Sequence, residues 1–301
     1  MYLVVDIGGT MVKAALMDRG GQIIKKSSRP ASRKDMEAFD TVLFESIDAL
    51  FREEVRGIAI STPGAVDIKT GVIYNGGSFP FQHGVNLKEK LQGRYDVPVA
   101  VENDGRCAAL AELWLGSLKG KQDAIVLVLG TGVGGGILMN GKIHHGRNLL
   151  AGEMSYVMEA VDPETKKASF FGFGGSAVQM IKDINKANDA ADMTDGKKAF
   201  EFIAAGNEAA NQIFDAFCHT IAVQILNLQY IFDPEVFAIG GGISAQPILV
   251  ERIQQAVDEL KEINDFHVAE PKIVCCHYQS DANLYGALYH YLTEHEKTGG
   301  K

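Results

Sequence analysis

Short apolar runs that end in glycines occur at three places in the chain: residues 2–9, 124–136 and 236–242. Apolar runs of this length, bounded by turn residues, are typical of buried strands. A glycine turn at the end of such a strand lets backbone N–H groups approach a bound ligand closely, because no Cβ stands in the way. Three such turns in one chain favour a site that holds the phosphates of a nucleotide.

The first half of the chain mixes strand-like and helix-like patterns. Apolar runs predict strands at 2–6, 12–17, 22–26, 55–61 and 97–101. Apolar residues at helical spacing, among them Phe39, Leu43 and Ile47, mark the first of the helices. Helices are predicted at 34–51, 87–91 and 104–115. A three-stranded meander followed by strand, helix, strand and helix is the order of an RNase H-like domain.

The second half repeats this order. Strands are predicted at 124–129, 134–139, 142–145, 236–239 and 272–275, and Asn140-Gly141 is a favoured hairpin turn. Helices are predicted at 177–188, 197–204, 207–231, 247–261 and 281–292. The repetition predicts an α/β fold of two duplicated RNase H-like domains with a cleft between them. The domains are placed at 1–115, with the C-terminal helix 281–294 packing back on it, and at 116–280, and the polar tail 295–301 is expected to fray.

Composition narrows the class of protein. The 301 residues are 46% hydrophobic and 22% charged, with a net charge of −9, so no basic field attracts nucleic acid or an anionic membrane. The four cysteines lack the spacing of a disulfide framework and fit a reducing compartment. No apolar run approaches the roughly 18 residues of a membrane span, and no secretory signal is recognised. We expect a globular cytoplasmic protein.

The segment Gly130-Thr131-Gly132-Val133-Gly134-Gly135 fits the glycine spacing of a dinucleotide fingerprint. That fingerprint requires a helix after the glycines. Here an apolar strand and the Asn140-Gly141 turn follow, so the dinucleotide interpretation fails. No lysine followed by serine or threonine completes a P-loop either. The alternative to a nucleotide site is that these are three ordinary glycine turns without a ligand. That explanation is credible for each turn alone but does not account well for all three together.

Five short motifs occur in one order: Asp6-Ile7-Gly8-Gly9-Thr10, Glu102-Asn103-Asp104, the glycine segment 130–136, Ala151-Gly152-Glu153 and Gly240-Gly241-Gly242-Ile243-Ser244. In this order and spacing the chain resembles the ROK family, which comprises bacterial sugar kinases and sugar-responsive repressors with the actin/hexokinase-type ATPase fold. The resemblance extends from Tyr2 to about Leu292. Each motif alone is weak, but the set is specific.

The resemblance implies a site residue by residue. ATP would be held at the glycine turns by Asp6, Gly8, Gly9, Thr10, Lys13, Gly130, Thr131, Gly132, Gly134, Gly241 and Gly242. The sugar would be held by Pro63, Gly64, Asn103, Asp104, Glu153 and Tyr156. Asp6 would hold Mg²⁺ through water, and Asp104 would be the general base. An Asn-Asp pair at a helix start is more often an N-cap; the two roles are compatible, and we favour the catalytic one.

The chain departs from the family pattern after Glu153. Met154-Ser155-Tyr156 follows, with Tyr156 where many relatives have histidine, and no cysteine occurs in 159–177, where they carry a zinc loop. A structural zinc needs four sulfur or imidazole ligands. Cys275-Cys276-His277 is a poor substitute because adjacent cysteines chelate badly. We therefore expect no zinc site, and no DNA-binding domain of the repressor type.

The resulting hypothesis is an ATP-dependent and Mg²⁺-dependent sugar kinase that phosphorylates the 6-hydroxyl of a hexose. Glucose or a β-glucoside is the favoured acceptor; N-acetylmannosamine and fructose stay open. Phe170-Phe171-Gly172-Phe173 either faces a second sugar ring or an aryl group, or packs in the core. A non-catalytic sugar sensor is the alternative of another class. We expect a homodimer.

Overall fold

A computed structural model describes residues 1–296, and these form two compact units. The first unit contains Met1–Lys119, Ile143–Ala151 and the C-terminal segment that starts at Ser280. The second contains Gly120–Lys142 and Gly152–Gln279. Of the tail 295–301 that was predicted to fray, His295 instead ends the last helix and Glu296 is its C-cap, whereas 297–301 lie outside the described residues. In 1–296, no helix combines the length and the apolar character that crossing a bilayer requires.

Strands and helices are numbered in chain order. The strands are β1 (Tyr2–Ile7), β2 (Met11–Met17), β3 (Ile23–Pro30), β4 (Ile58–Thr62), β5 (Ala65–Asp67), β6 (Val72–Tyr74), β7 (Val99–Asn103), β8 (Ala124–Leu129), β9 (Val133–Met139), β10 (Lys142–Ile143), β11 (Met158–Val161), β12 (Ala168–Phe170), β13 (Val236–Gly240) and β14 (Ile273–Cys275). The helices are α1 (Met36–Asp48), α2 (Leu87–Tyr95), α3 (Asp104–Leu115), α4 (Phe171–Gly174), α5 (Ala177–Ala187), α6 (Gly196–Ala204), α7 (Glu208–Phe232), α8 (Pro247–Ile263) and α9 (Ala282–His295).

The first unit is built on a five-stranded sheet in the order β3-β2-β1-β4-β7. β1 is antiparallel to β2 and parallel to β4, which is in turn parallel to β7. Helices α3 and α9 pack tightly on each other: a Cβ built on Gly286 of α9 would stand 1.7 Å from the carbonyl oxygen of Cys107 in α3. Glycine at 286 therefore permits the close approach that holds the C-terminal helix against α3.

The second unit has a five-stranded sheet in the order β10-β9-β8-β13-β14. Its β8 is antiparallel to β9 and parallel to β13, so the sheet repeats the arrangement of the first unit strand for strand. The core lies under α5 to α8, where buried side chains such as Phe214, Ile221 and Ile225 of α7 pack together. The duplicated α/β fold predicted from the sequence is confirmed.

Several boundaries differ from the prediction. β4 begins at Ile58 and not at Val55. Val55 follows a turn, and its backbone N–H donates to the carbonyl of Arg52. Val55 is apolar and buried, and its apolar character in the sequence is why the strand was predicted to begin there. The antiparallel pairs β5–β6 and β11–β12 were not predicted at all.

Candidate active site

The turn between β1 and β2 carries the first glycine motif. The Gly8 N–H donates to the carbonyl of Met11 over 2.9 Å, and Thr10 is exposed at the end of the turn. A Cβ built on Gly9 would stand 2.7 Å from Nη2 of Arg33 and 2.9 Å from Oγ of Ser78. A side chain at position 9 would therefore displace these two side chains from their places over the turn. Arg33 was not among the residues predicted for this site.

Asp6 at the end of β1 is 4% exposed and fully engaged by neighbours. Its Oδ1 accepts hydrogen bonds from Ser61 Oγ and Asn283 Nδ2, both at 3.0 Å, and its Oδ2 lies 3.6 Å from the Lys13 ammonium. Lys13 also donates to the carbonyl of Ser280. Two predicted residues, Asp6 and Lys13, are thus adjacent, and the lysine balances the charge of the buried carboxylate.

A lone carboxylate fits one kind of metal site. Mg²⁺ keeps several waters and is held by one or two carboxylates together with substrate phosphates. Asp6 suits contact through water, because Ser61, Asn283 and Lys13 already surround its oxygens. Across residues 1–296, no three His, Cys, Asp or Glu side chains gather closely enough to hold a metal by themselves.

Asn103 and Asp104 lie where β7 passes into α3. Asn103 is the N-cap: its Oδ1 accepts from the Arg106 N–H at 3.2 Å, while its Nδ2 donates to the Gly64 carbonyl at 2.9 Å. Asp104 is half-buried, and its Oδ1 accepts from the Gly105 N–H at 2.8 Å. The cap interpretation is therefore correct for Asn103, and the same residue ties α3 to the predicted sugar-side loop.

That sugar-side loop is closely packed around Gly64. Gly64 has a φ of +98°, and a Cβ on it would stand 2.5 Å from the Asn75 carbonyl oxygen. Pro63 packs against Gly77: a Cβ built on Gly77 would stand 3.0 Å from the proline Cβ. The structure therefore brings Pro63 and Gly64 together with the loop that starts at Asn75 and with Asn103.

Glu102, Arg106 and His145, which were not predicted as site residues, lie close together near the start of α3. Glu102 is 0% exposed, and its Oε2 lies 2.7 Å from Nε2 of His145. Arg106, also buried, donates through Nη2 to the carbonyls of Leu149 at 2.7 Å and Ala151 at 3.1 Å. Leu149 has a φ of +62°, an unusual conformation for leucine. Glu102 and Arg106 therefore fix the segment that leads directly into Gly152-Glu153.

The pKa of Glu102 reflects two opposing effects. Burial by itself raises the pKa of this carboxyl, but the hydrogen bond with His145 and the electrostatic interactions with His290 and Arg106 outweigh the effect of burial. The pKa of Glu102 therefore lies below its ordinary value, and the residue is charged at neutral pH.

In the second unit, two serines hold the glycine turn between β8 and β9. Ser155 Oγ accepts from the Val133 N–H at 2.9 Å, and Ser176 Oγ donates to the Thr131 carbonyl at 2.8 Å. A Cβ on Gly132 would stand 2.7 Å from Ser155 Oγ. The exposed Thr131 and Gly134 lie at the open side of this turn. These serines were missed because each is distant in sequence from the glycines that it fixes.

The third glycine motif lies beside the second. Gly241 has a φ of +98°, and a Cβ on it would stand 2.1 Å from the Leu129 carbonyl oxygen, whereas Gly242 faces open space. A cavity of about 330 Å³ lies next to both turns; its lining includes Gly130, Gly242, Val178, Thr194, Lys197 and Gln246. The last four residues were not predicted, because they come from separate elements and form no local motif.

The remaining predicted residues lie in the second unit. Glu153 is half-buried and directly precedes a short 3₁₀ turn, Met154–Tyr156. Tyr156 is 63% exposed. In the neighbouring aromatic segment Phe171 is buried in the core, as the packing alternative expected, whereas Phe173 is 77% exposed. Tyr156 and Phe173 are thus two exposed aromatic side chains in this part of the unit.

Comparison with known proteins extends these observations. The profile of the ROK family matches residues 2–294. A β-glucoside kinase of Listeria monocytogenes is 32% identical over 296 residues, 97% of each chain. A glucokinase of Halalkalibacterium halodurans is 31% identical over 287 residues, 84% of each chain. Among solved structures, a ROK family protein from Streptococcus pneumoniae in complex with sucrose is 33% identical with a TM-score of 0.84, covering 97% of this chain and 98% of that one.

Proposed function

The chain belongs to the ROK family and is a sugar kinase, and we propose that it transfers the γ-phosphoryl group of ATP to the 6-hydroxyl of glucose or of a β-glucoside. The observation that carries this proposal is the position of Asp104. It lies at the start of α3, beside an asparagine that is bound to the sugar-side loop at Gly64. A carboxylate at such a place can accept the proton of an attacking hydroxyl.

In this proposal the glycine turns hold the phosphates. Phosphoryl transfer passes through a loose transition state, so the protein mainly positions groups and balances charge. In the first unit, the backbone of Gly8, Gly9 and Thr10 binds phosphate oxygens beside Lys13. In the second unit, Gly130, Thr131, Gly132 and Gly134 do the same, and Gly241 and Gly242 lie against the adenosine. The cavity beside Gly130 and Gly242 supports the last assignment.

Mg²⁺ supplies charge neutralisation at the phosphates when it is bound. Asp6 is the residue that would hold it, through water. The carboxylate is kept in place by Ser61 and Asn283. Added Mg²⁺ should therefore be required for turnover, while zinc should be absent from the purified protein. One tightly held zinc per chain would contradict this assignment.

The proposed sugar site combines Pro63, Gly64, Asn103 and Asp104 with Glu153 and Tyr156. Glu153 binds sugar hydroxyls, and Tyr156 occupies the place of the histidine of many relatives. The exposed rings of Tyr156 and Phe173 suit the apolar face of a second sugar or an aryl group. The identity with a β-glucoside kinase of Listeria monocytogenes supports an acceptor of this kind. Cytoplasmic location and a homodimer remain predictions, as does the division into domains at 1–115 and 116–280.

The decisive experiment is ATP-dependent phosphorylation across a panel of acceptors: glucose, cellobiose, an aryl β-glucoside, N-acetylmannosamine and fructose. We expect the highest kcat/KM for glucose or a β-glucoside. Turnover restricted to N-acetylmannosamine or fructose would refute the proposed acceptor but would leave the assignment as a sugar kinase intact. Sugar binding with no turnover on any acceptor would instead favour a non-catalytic sugar sensor.

A further inference from the structure

Arg33 lies over the phosphate turn of the first unit without belonging to any motif. It sits in the loop between β3 and α1, and its Nε donates to the Gly9 carbonyl over 2.6 Å. Its Nη2 is close enough to Gly9 that a Cβ there would stand 2.7 Å away. A guanidinium has five N–H donors, and the bond to Gly9 uses one of them. The hydrogen bond fixes the plane of the group, so its remaining donors are held in place beside the turn.

The charge of Arg33 is not balanced by the protein. Throughout residues 1–296, Arg33 forms no ion pair with a carboxylate, whereas Lys13 lies 3.6 Å from Asp6. Two other arginines of this unit have acidic partners: Arg29 lies 3.4 Å from Glu45, and Arg94 lies 2.8 Å from Asp48. An arginine held by its backbone contact over a phosphate-binding turn, with its charge left unbalanced, is arranged for an anion.

A guanidinium is particularly suited to binding a phosphoryl group. Its planar fork matches two oxygens of one phosphoryl group, and hydrogen bonds of this charged type are stronger than neutral ones. In the loose transition state, negative charge spreads over the three equatorial oxygens of the transferred group. An arginine that reaches those oxygens stabilises the transition state more than the ground state.

We propose that Arg33 is a catalytic residue that binds the γ-phosphoryl group of the nucleotide during transfer, an inference that rests on the proposed kinase function. The hydrogen bond to Gly9 holds the guanidinium in position before the nucleotide arrives, so little side-chain freedom is lost on binding. Ser78, the other side chain over Gly9, belongs to the loop that packs against Pro63 and Gly64. Arg33 therefore lies where the phosphate turn and the sugar-side loop meet.

The test compares Arg33→Gln and Arg33→Lys with the matched control Arg52→Gln. Arg52 is also exposed and also donates to a backbone carbonyl, that of Phe51, but it lies in the segment that follows α1. Calorimetry measures the affinity of each protein for ADP and for a non-hydrolysable ATP analogue, with Mg²⁺ present. We expect Arg33→Gln to lower the affinity for the ATP analogue about tenfold. The affinity for ADP should stay within about twofold of the wild type, because ADP lacks the γ-phosphoryl group. Arg33→Lys should recover part of that loss, and Arg52→Gln should match the wild type.

Turnover gives the second readout. Arg33→Gln should lower kcat by roughly 10²–10³-fold with the KM for the sugar unchanged, somewhat less than the 10³–10⁵ range of a dedicated arginine finger. An equal loss of affinity for ADP and the analogue, with a lowered Tm, would show that Arg33 only braces the turn and would overturn the proposal. So would unchanged affinity for both nucleotides. The binding comparison does not require turnover, so a failure of the kinase assignment would be seen separately, as an inactive wild type.

Discussion

Glu102 and His145 lie 43 residues apart in sequence, yet Oε2 of Glu102 and Nε2 of His145 are 2.7 Å apart. The same carboxylate accepts from the Asn103 N–H through its other oxygen, also at 2.7 Å. One buried acid therefore connects the end of β7, where Asn103 and Asp104 begin α3, to the segment that leads into Glu153. Within the first unit, the contact therefore holds the segment Ile143–Ala151 against the start of α3.

Glu102→Gln should destabilise the protein at neutral pH. Removing the charge leaves Arg106 and His145 without their buried partner, a loss of about 3 kcal/mol in unfolding free energy for a broken buried pair. Because the pKa of Glu102 is lowered in the folded state, its contribution is fully present above the unfolded value near 4.3. This stabilisation is lost as the pH falls below the unfolded-state pKa and then through the folded-state pKa of Glu102.

Denaturant unfolding at several pH values measures this effect. The wild type and Glu102→Gln should differ most at pH 7, and the difference in stability should shrink progressively as the pH falls below about 4.3. The exposed Glu53→Gln serves as control and should follow the wild type throughout. A Glu102→Gln protein as stable as the wild type at pH 7 would mean that the carboxylate contributes nothing to holding the segment.

The sequence predicts those parts of the fold that have strong local patterns. α3 begins at Asp104 as expected, because the Asn103 cap and the apolar positions that follow it are local signals. β5 and β6 have three residues each, too few to show a period of two. The contacts of Arg33, of Glu102 and of the lining residue Lys197 escape prediction for another reason. Their importance arises from neighbours far away in sequence, and no spacing rule contains that information.

His290 should make stability depend on pH in a different range. This α9 side chain is 5% exposed, and its Nε2 has no hydrogen-bond partner in 1–296. Burial lowers the pKa of His290, although Glu102 and Glu294 oppose the shift. His145 and His295 face it as well and lower its pKa further. Its stabilising contribution is therefore present above the unfolded value near 6.5 and is lost as the pH falls from there towards the folded pKa.

The measurement compares the wild type with His290→Gln between pH 7.5 and about 5. The wild type should lose stability relative to the variant below about pH 6.5, by up to ~1.4 kcal/mol per pH unit for one proton. His144→Gln, at an exposed position, should keep the wild-type slope. Parallel curves for the wild type and His290→Gln would show that His290 charges as easily in the folded protein as in the unfolded one.

Gly241→Ala and Gly242→Ala form a matched pair within one motif. At Gly241 the Cβ would stand 2.1 Å from the Leu129 carbonyl, and the φ of +98° is strained for alanine, so Gly241→Ala should lower Tm or prevent folding. At Gly242 the Cβ meets nothing within 4 Å, so Gly242→Ala should fold normally. If Gly242 lies against the adenosine, its variant should raise the KM for ATP and leave the KM for the sugar unchanged. An unaltered KM for ATP would remove Gly242 from the nucleotide site.

Asp104→Asn tests the chemistry most directly, because the substitution separates the two roles of this position. Asparagine keeps an oxygen in the place of Oδ1, which accepts from the Gly105 N–H at 2.8 Å. Thermal unfolding of Asp104→Asn should therefore match the wild type within about 0.5 kcal/mol, the range of a substitution that disturbs no packing or cap. An amide cannot accept the proton of the attacking hydroxyl, so kcat should fall by ~10²–10⁴-fold. The KM for the sugar should change little, since Asn103, the partner of Gly64, is untouched. Asp104→Ala provides the comparison, because it removes the capping oxygen as well and should lose stability in addition to activity. Wild-type kcat in Asp104→Asn would remove Asp104 from the mechanism and leave it as a residue of the helix start.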